Sequence, residues 1–167
     1  AIDSLQDALW AERKRALLVI LQGIDTSGKD GTVRTVFSRC GPLGVGVTPF
    51  GKPSEEELAH DFLWRVHMAT PKKGVIGVFN RSHYEDVLVV KVRKLAAADA
   101  IEKRYEQINA FEKHLKENRV VLLKFFLHIS KAEQAERLQA RLDDPHKNWK
   151  FATGDLAMRE KWPQFQR

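Results

Sequence analysis

Leu17-Leu18-Val19-Ile20-Leu21-Gln22-Gly23-Ile24-Asp25-Thr26-Ser27-Gly28-Lys29-Asp30 sets the architecture: an apolar run enters a loop bounded by glycines and ending in Gly-Lys, and a helical pattern follows from Gly31. The spacing is G-x-x-x-x-G-K between strand and helix, the phosphate-loop pattern. Gly23, Gly28 and Gly31 open backbone conformations closed to other residues, so amides around Thr26 and Ser27 can turn toward phosphate oxygens at the positive end of a helix. Lys29 adds a point charge for the terminal phosphates. The pattern usually ends in a Ser or Thr whose hydroxyl ligates Mg²⁺, and here that position is Asp30. Metal ligation must then be arranged otherwise. Asp25 is the alternative, because a carboxylate beside bound phosphate needs a cation or a proton between them. Its other reading is a turn-forming residue.

Outward from the loop, apolar blocks recur at Ala16 to Leu21, Val45 to Phe50, Val75 to Phe79 and Val120 to Ile129. Continuous blocks of this kind predict parallel strands buried on both faces. Ser54 with Glu57, Ser82 with Glu85, and Ser130 with Glu133 fit the capping box, so a helix is expected to start at each. Ile101, Tyr105, Ile108, Phe111 and Leu115 mark an amphipathic helix. Gly41 to Gly46 and Asp143 to Gly154 look loop-like, and Leu156 to Arg167 reads as a helix beginning at Asp155. Alternating βα units predict a three-layer α/β/α sandwich with a parallel sheet. At 167 residues, one domain over 1–167 is the default. No strand follows the last helix, an abrupt end for such a sheet, and the complete chain is expected to continue with another strand.

Val75-Ile76-Gly77-Val78-Phe79 leads into Asn80-Arg81-Ser82-His83-Tyr84-Glu85-Asp86. Ligands of open α/β sheets sit beyond the carboxyl ends of the strands, so these residues should face the phosphate-loop crevice. Arg81 could fork onto a phosphate, and Glu85 or Asp86 could bind metal directly or through water. Glu85 could equally be the reciprocal cap of Ser82. His83 reads as a packing residue.

Composition narrows the partners. A net charge of +6 and a pI near 9.5 favour an acidic one: nucleic acid, an anionic membrane or a phosphate-rich small molecule. The one cysteine, Cys40, excludes an internal disulfide and fits a reducing compartment. With no apolar stretch long enough to cross a bilayer and no signal-like start, a cytoplasmic protein is expected, with no membrane partner.

Taken together, GIDTSGKDG, FGKPSEEELAHDFLWRVH, GVFNRSHYEDVLV, RYEQINAFEKHL, LKFFLHISKAEQAERLQARLDDPHKNWKF and REKW resemble the polyphosphate kinase 2 family over nearly the whole chain. The resemblance implies a P-loop kinase fold like that of thymidylate kinases, with a helical lid. It also implies phosphoryl transfer between inorganic polyphosphate and purine nucleotides, with Mg²⁺ or Mn²⁺ as cofactor and a homo-oligomeric assembly. Asp25 becomes a carboxylate organising metal and acceptor, Lys29 the phosphate-holding lysine and Arg81 a phosphate contact; the residues of this chain themselves point to Asp25 and Glu85 as the metal pair. Many family members carry Asp where this chain has Asn80, and Asn where it has Glu85. The FNRSHYED form resembles the subgroup acting on both nucleoside mono- and diphosphates. Arg137, Arg141, Lys147 and Lys150, in a segment of about 137–160, resemble the lid, whose cations could close over transferring phosphate. Two other readings compete: a nucleotide kinase using ATP, and a basic nucleic-acid-binding module with Trp149 and Phe151 as stacking residues, which would leave the phosphate loop without purpose.

Overall fold

Four apolar runs become strands, and the most continuously apolar of them lies inside the sheet. In the computed structural model, which describes residues 2–151 and 153–165, β1 (Ala16–Gln22), β2 (Val45–Pro49), β3 (Ile76–Asn80) and β4 (Val120–Phe126) form a parallel sheet of order β2-β3-β1-β4. The helices are α1 (Ile2–Glu12), α2 (Lys29–Phe37), α3 (Glu55–Ala59), α4 (Trp64–Met68), α5 (Glu85–Arg93), α6 (Ala98–Glu117), α7 (Lys131–Asp143), α8 (Thr153–Glu160) and α9 (Trp162–Phe165), with a 3-10 turn at Asn148–Lys150.

Alternation along β1 sends its side chains into two cores. Leu18 and Ile20, with Phe79 of β3, pack against Leu115 and Phe111 of α6 and Val66 of α4. Val19 and Leu21, with Ile76 and Val78, meet Leu9 of α1 and Val33 and Phe37 of α2. Helices therefore cover both faces, giving the three layers expected. Burying side chains such as Leu18, Ile20 and Phe79 contributes about 1.5–3 kcal/mol each. In α6, Ile101, Ile108 and Leu115 are the buried apolar stripe that the spacing predicts.

The outer strands depart from expectation. A continuous apolar run predicts burial on both faces, yet Val121, Leu123 and Phe125 of β4 are 43–49% exposed and line an apolar groove of about 510 Å³ with Leu5 and Leu9 of α1. β2 is likewise half-covered. Both are edge strands among the described residues, so helices shield one face better than the other. β4 also stops at Phe126, short of Ile129, as the chain turns and Leu127 N donates to Gln22 O at 2.8 Å.

Of the helix starts, Ser54 forms the full reciprocal box with Glu57. Ser130 accepts from Glu133 N, but the Glu133 carboxylate turns to Arg137. Ser82 caps nothing: α5 begins at Glu85, after Tyr84, and no side chain caps it. The terminal helix starts at Thr153 rather than Asp155 and breaks at Lys161 before α9, which holds Pro163; its expected end at Arg167 lies outside the described residues. No described helix is long and apolar enough to cross a membrane.

Candidate active site

Pairing β1 with β3 in the register Leu21↔Asn80 sets the two polar strand ends side by side. The loop after β1 is shaped by its backbone. Gly23 has φ +155, and a Cβ there would lie 2.7 Å from Ser27 Oγ and 2.9 Å from the Leu127 carbonyl. Gly28 has φ +97 at the start of α2, and Thr26 is also left-handed at φ +66. Left-handed residues interleaved in a turn aim successive amides to one side, making an anion-binding concavity. Gly31, inside the first turn of α2, has open space around it.

Lys29 is buried against this loop. Its Nζ donates to Gly23 O (2.8 Å), Ile24 O (3.0 Å) and Ser27 Oγ (3.3 Å). Burial, with Arg81 nearby, pulls its pKa down to about 8, while Asp25, Glu85 and Asp30 act in the other direction. Opposite it, Arg81 emerges from β3 at φ +66, its amide donating to Leu21 O (3.0 Å). The Arg81 guanidinium donates to Asp25 Oδ1 and lies 3.6 Å from Glu85 Oε2. Asp25 and Glu85 thus converge on one cation, a carboxylate pair that suits a divalent ion sharing phosphate oxygens. Thr26 Oγ1 is buried with no partner in the same loop. Among the described residues, no group of three or more His, Cys, Asp or Glu could enclose a metal by itself.

Glu85 is held by a residue that motif reading passes over. Gln22, the last residue of β1, donates from Nε2 to Glu85 Oε1 and accepts from Ser82 Oγ at 3.2 Å. Ser82 Oγ also accepts from Tyr84 N (3.2 Å), so the serine orders the turn while Glu85 faces the crevice, and the cap reading of Glu85 falls. Burial raises the Glu85 pKa, opposed by Arg81, Gln22 and Lys29. Asp86 points elsewhere, 3.7 Å from Arg104 and 4.0 Å from Arg65. Behind the turn, Glu112 of α6 is buried and accepts from Tyr84 Oη (2.6 Å) and Lys124 Nζ (2.7 Å), with His83 Nε2 at 3.5 Å. Burial works against its charge, but His83, Lys124 and Tyr84 outweigh it and bring its pKa down to about 2.

The basic tract reaches the loop in part. Arg137 Nη1 donates to Thr26 O (3.1 Å) while its Nε pairs with Glu133 (2.6 Å). Gln134, another residue without a motif, donates to Asp25 O (3.1 Å). Lys150 Nζ pairs with Asp30 Oδ2 (3.1 Å), and Asp30 Oδ1 accepts from Asn80 Nδ2 (2.7 Å). These bonds, first that from Asn80, hold the Asp30 carboxyl below its ordinary value. Arg141 braces the tract through Lys150 O (3.2 Å). Lys147 pairs with Asp144 (2.7 Å) and is not brought to the loop. Trp149 is 77% exposed under Lys150, and Phe151 is half-buried apart from it. A cavity of about 670 Å³ opens beside the loop, lined by Gln22, Asp25, Phe50, Arg65, Arg81 and Glu85 among others.

The family model for polyphosphate kinase 2 matches residues 1–167. An AMP/ADP-polyphosphate phosphotransferase of Meiothermus ruber is 53% identical over 165 residues, covering 99% of this chain and 62% of that protein. An ADP-polyphosphate phosphotransferase of Rhodopseudomonas palustris is 44% identical over 176 residues, covering 98% and 61%. The crystal structure of polyphosphate kinase 2 from Arthrobacter aurescens superposes with a TM-score of 0.95 at 47% identity, over 98% of this chain and 59% of that one. The chain spans about three-fifths of the length of these relatives.

Proposed function

The chain belongs to the polyphosphate kinase 2 family, and we propose that it transfers a phosphoryl group between inorganic polyphosphate and purine nucleotides, taking AMP, ADP, GMP and GDP to higher phosphates. The observation that carries this reading is the convergence of Lys29, Arg81, Asp25 and Glu85 at the ends of two adjacent strands, beside a loop built to receive phosphate. Residues 1–167 act as one kinase domain with a lid over about 137–160, in a cytoplasmic homo-oligomer.

Transfer of this kind asks mainly for positioning and charge neutralisation. Amides from Gly23 to Lys29 cradle the donor end, Lys29 and Arg81 offset its charge, and Arg137 and Lys150 bring the lid's cations to the same loop. Asp25 and Glu85 would hold Mg²⁺, or Mn²⁺, which when bound neutralises charge on the phosphate oxygens. An acceptor phosphate oxygen forms a bond to the terminal phosphorus as the bridging P–O bond breaks, and the electron pair leaves with the shortened chain. The acceptor oxygen is already ionised near neutral pH, so no strong general base is required.

The test is a product assay with AMP, ADP, GMP and GDP, each offered polyphosphate and Mg²⁺ without ATP. Higher phosphates should form. Phosphorylation with ATP alone would replace this reading with that of an ATP-dependent kinase.

A further inference from the structure

At the pole of the sheet opposite the phosphate loop, three chain segments bring cations together. Arg13, Lys14 and Arg15 precede β1, Lys72 and Lys73 precede β3, and Arg119 precedes β4; all six are exposed. Main-chain bonds hold the segments side by side, with Gly74 N donating to Arg15 O (2.8 Å) and Ala16 N to Arg119 O (3.0 Å). A Cβ on Gly74 would come within 3.3 Å of Arg13 Cγ, so these strand starts touch. Among the described residues, only Arg15 of these cations has an acidic partner, Glu12 at 2.6 Å. Lys14, Lys72, Lys73 and Arg119 make no side-chain hydrogen bond or ion pair among the described residues. Like charges crowded this way repel one another and create a positive potential that a polyanion relieves.

We propose that this pole is a second polyanion-binding surface, holding the distal stretch of a polyphosphate chain whose end is engaged at the phosphate loop. It rests on the reading of polyphosphate as substrate. β1 separates the poles with seven residues, about 23 Å at about 3.3 Å each, a span that a linear, flexible polyanion covers and a short one does not. The surface suits a bare phosphate chain better than nucleic acid or a membrane. Trp10, the aromatic nearest these cations in sequence, has Arg13 over its ring at 5.4 Å instead of an open face for a base. None of the exposed large apolar side chains comes from these three segments themselves, but the apolar groove beside β4 reaches Arg15, so a lipid surface is decided by the vesicle arm of the test.

The experiment uses a variant combining Lys14→Gln, Lys72→Gln, Lys73→Gln and Arg119→Asn, the last chosen because Arg119 is left-handed at φ +66, where asparagine is tolerated. At low salt, KM for long-chain polyphosphate should rise about tenfold with a shallower salt dependence, since exposed cations act through a screened field. The kcat value and all constants for tripolyphosphate, too short to span the poles, should stay at the parent's. An unchanged long-chain KM overturns the proposal, and so does an equal rise for tripolyphosphate, which would mark a general loss of positive field. Single-stranded RNA and anionic vesicles are measured alongside: weaker binding of either to the variant, with polyphosphate KM unchanged, gives the pole to that partner instead. If the parent turns over no polyphosphate, the functional reading fails separately. The pole is then judged by equilibrium binding of long-chain polyphosphate, where weaker binding to the variant supports it and equal affinities overturn it.

Discussion

The phosphate loop and the basic tract from Arg137 to Lys150 meet, and they are held by different means. The loop is fixed by backbone: left-handed turns at Thr26 and Gly28, a glycine at 23 with no room for a Cβ, and a buried lysine bonded to two carbonyls. The tract is fixed by side chains that reach across solvent-exposed ground, Lys150 to a 61%-exposed Asp30 and Arg137 to the Thr26 carbonyl. Under the proposed function, a phosphate cradle must be preorganised to stabilise charge without reorganising, whereas a lid must open to admit substrate, and surface ion pairs suit that because each is weak.

Breaking the loop should cost most. Lys29→Ala is expected to lower kcat by about 10²-fold or more, since losing preorganised charge costs about 3 kcal/mol in the transition state. Circular dichroism should show the fold retained, and a folded variant with near-parental turnover would remove Lys29 from the chemistry. Glu112 tests the scaffold behind the loop. Glu112→Gln leaves buried partners imperfectly paired and should cost about 2 kcal/mol, read as a lower Tm at pH 7. Because its folded pKa, about 2, lies below the ordinary 4.5, this stabilisation is present above pH 4.5 and lost as pH falls through about 2. The Tm gap between parent and variant should close over that window; a gap that stays constant would mean the charge is not what matters.

Glu85→Gln sharpens the comparison, because the side chain belongs to the crevice but is positioned by Gln22 and Arg81. Turnover is expected to fall about tenfold, or about 1.4 kcal/mol, with Tm near the parent's. The fall should differ between monophosphate and diphosphate acceptors, whose terminal phosphates reach different depths. Equal, undiminished rates for both would take Glu85 out of the site. The smallest effect belongs to the tract: Lys150→Ala removes an exposed pair worth about 0–1 kcal/mol, so KM for polyphosphate should rise no more than about fivefold. A loss as large as that of Lys29→Ala would show that the tract is as preorganised as the loop.

The same contrast explains what could be read in the sequence. Gly23, Gly28 and Lys29 announce themselves because backbone conformation and residue type are local matters, and the apolar runs give β1 and β3 in order. Ser82 misleads for the opposite reason. Its spacing to Glu85 is that of a cap, but its hydroxyl is taken by Gln22, sixty residues away, and local spacing cannot see that partner. Gln22 and Gln134 go unnoticed because an uncharged amide carries no signal until folding brings an acceptor to it. Lys147 and Lys150 look equivalent on paper; the 3-10 turn at Asn148–Lys150 sends one to Asp30 and leaves the other on Asp144. The half-exposed faces of β4 and β2 follow from strand order, which apolarity alone does not encode.

Arg81 shows how tightly such a site can close off its own evolution. At φ +66 the backbone penalises β-branched replacements, and glycine or asparagine, which would relax it, forfeit the charge that meets Asp25 and Glu85. Lysine keeps a charge but loses the planar fork that can address two carboxylates at once. Each single step from arginine therefore gives up backbone fit, charge or geometry, and neutral drift at this position has no open path while its neighbours stay as they are.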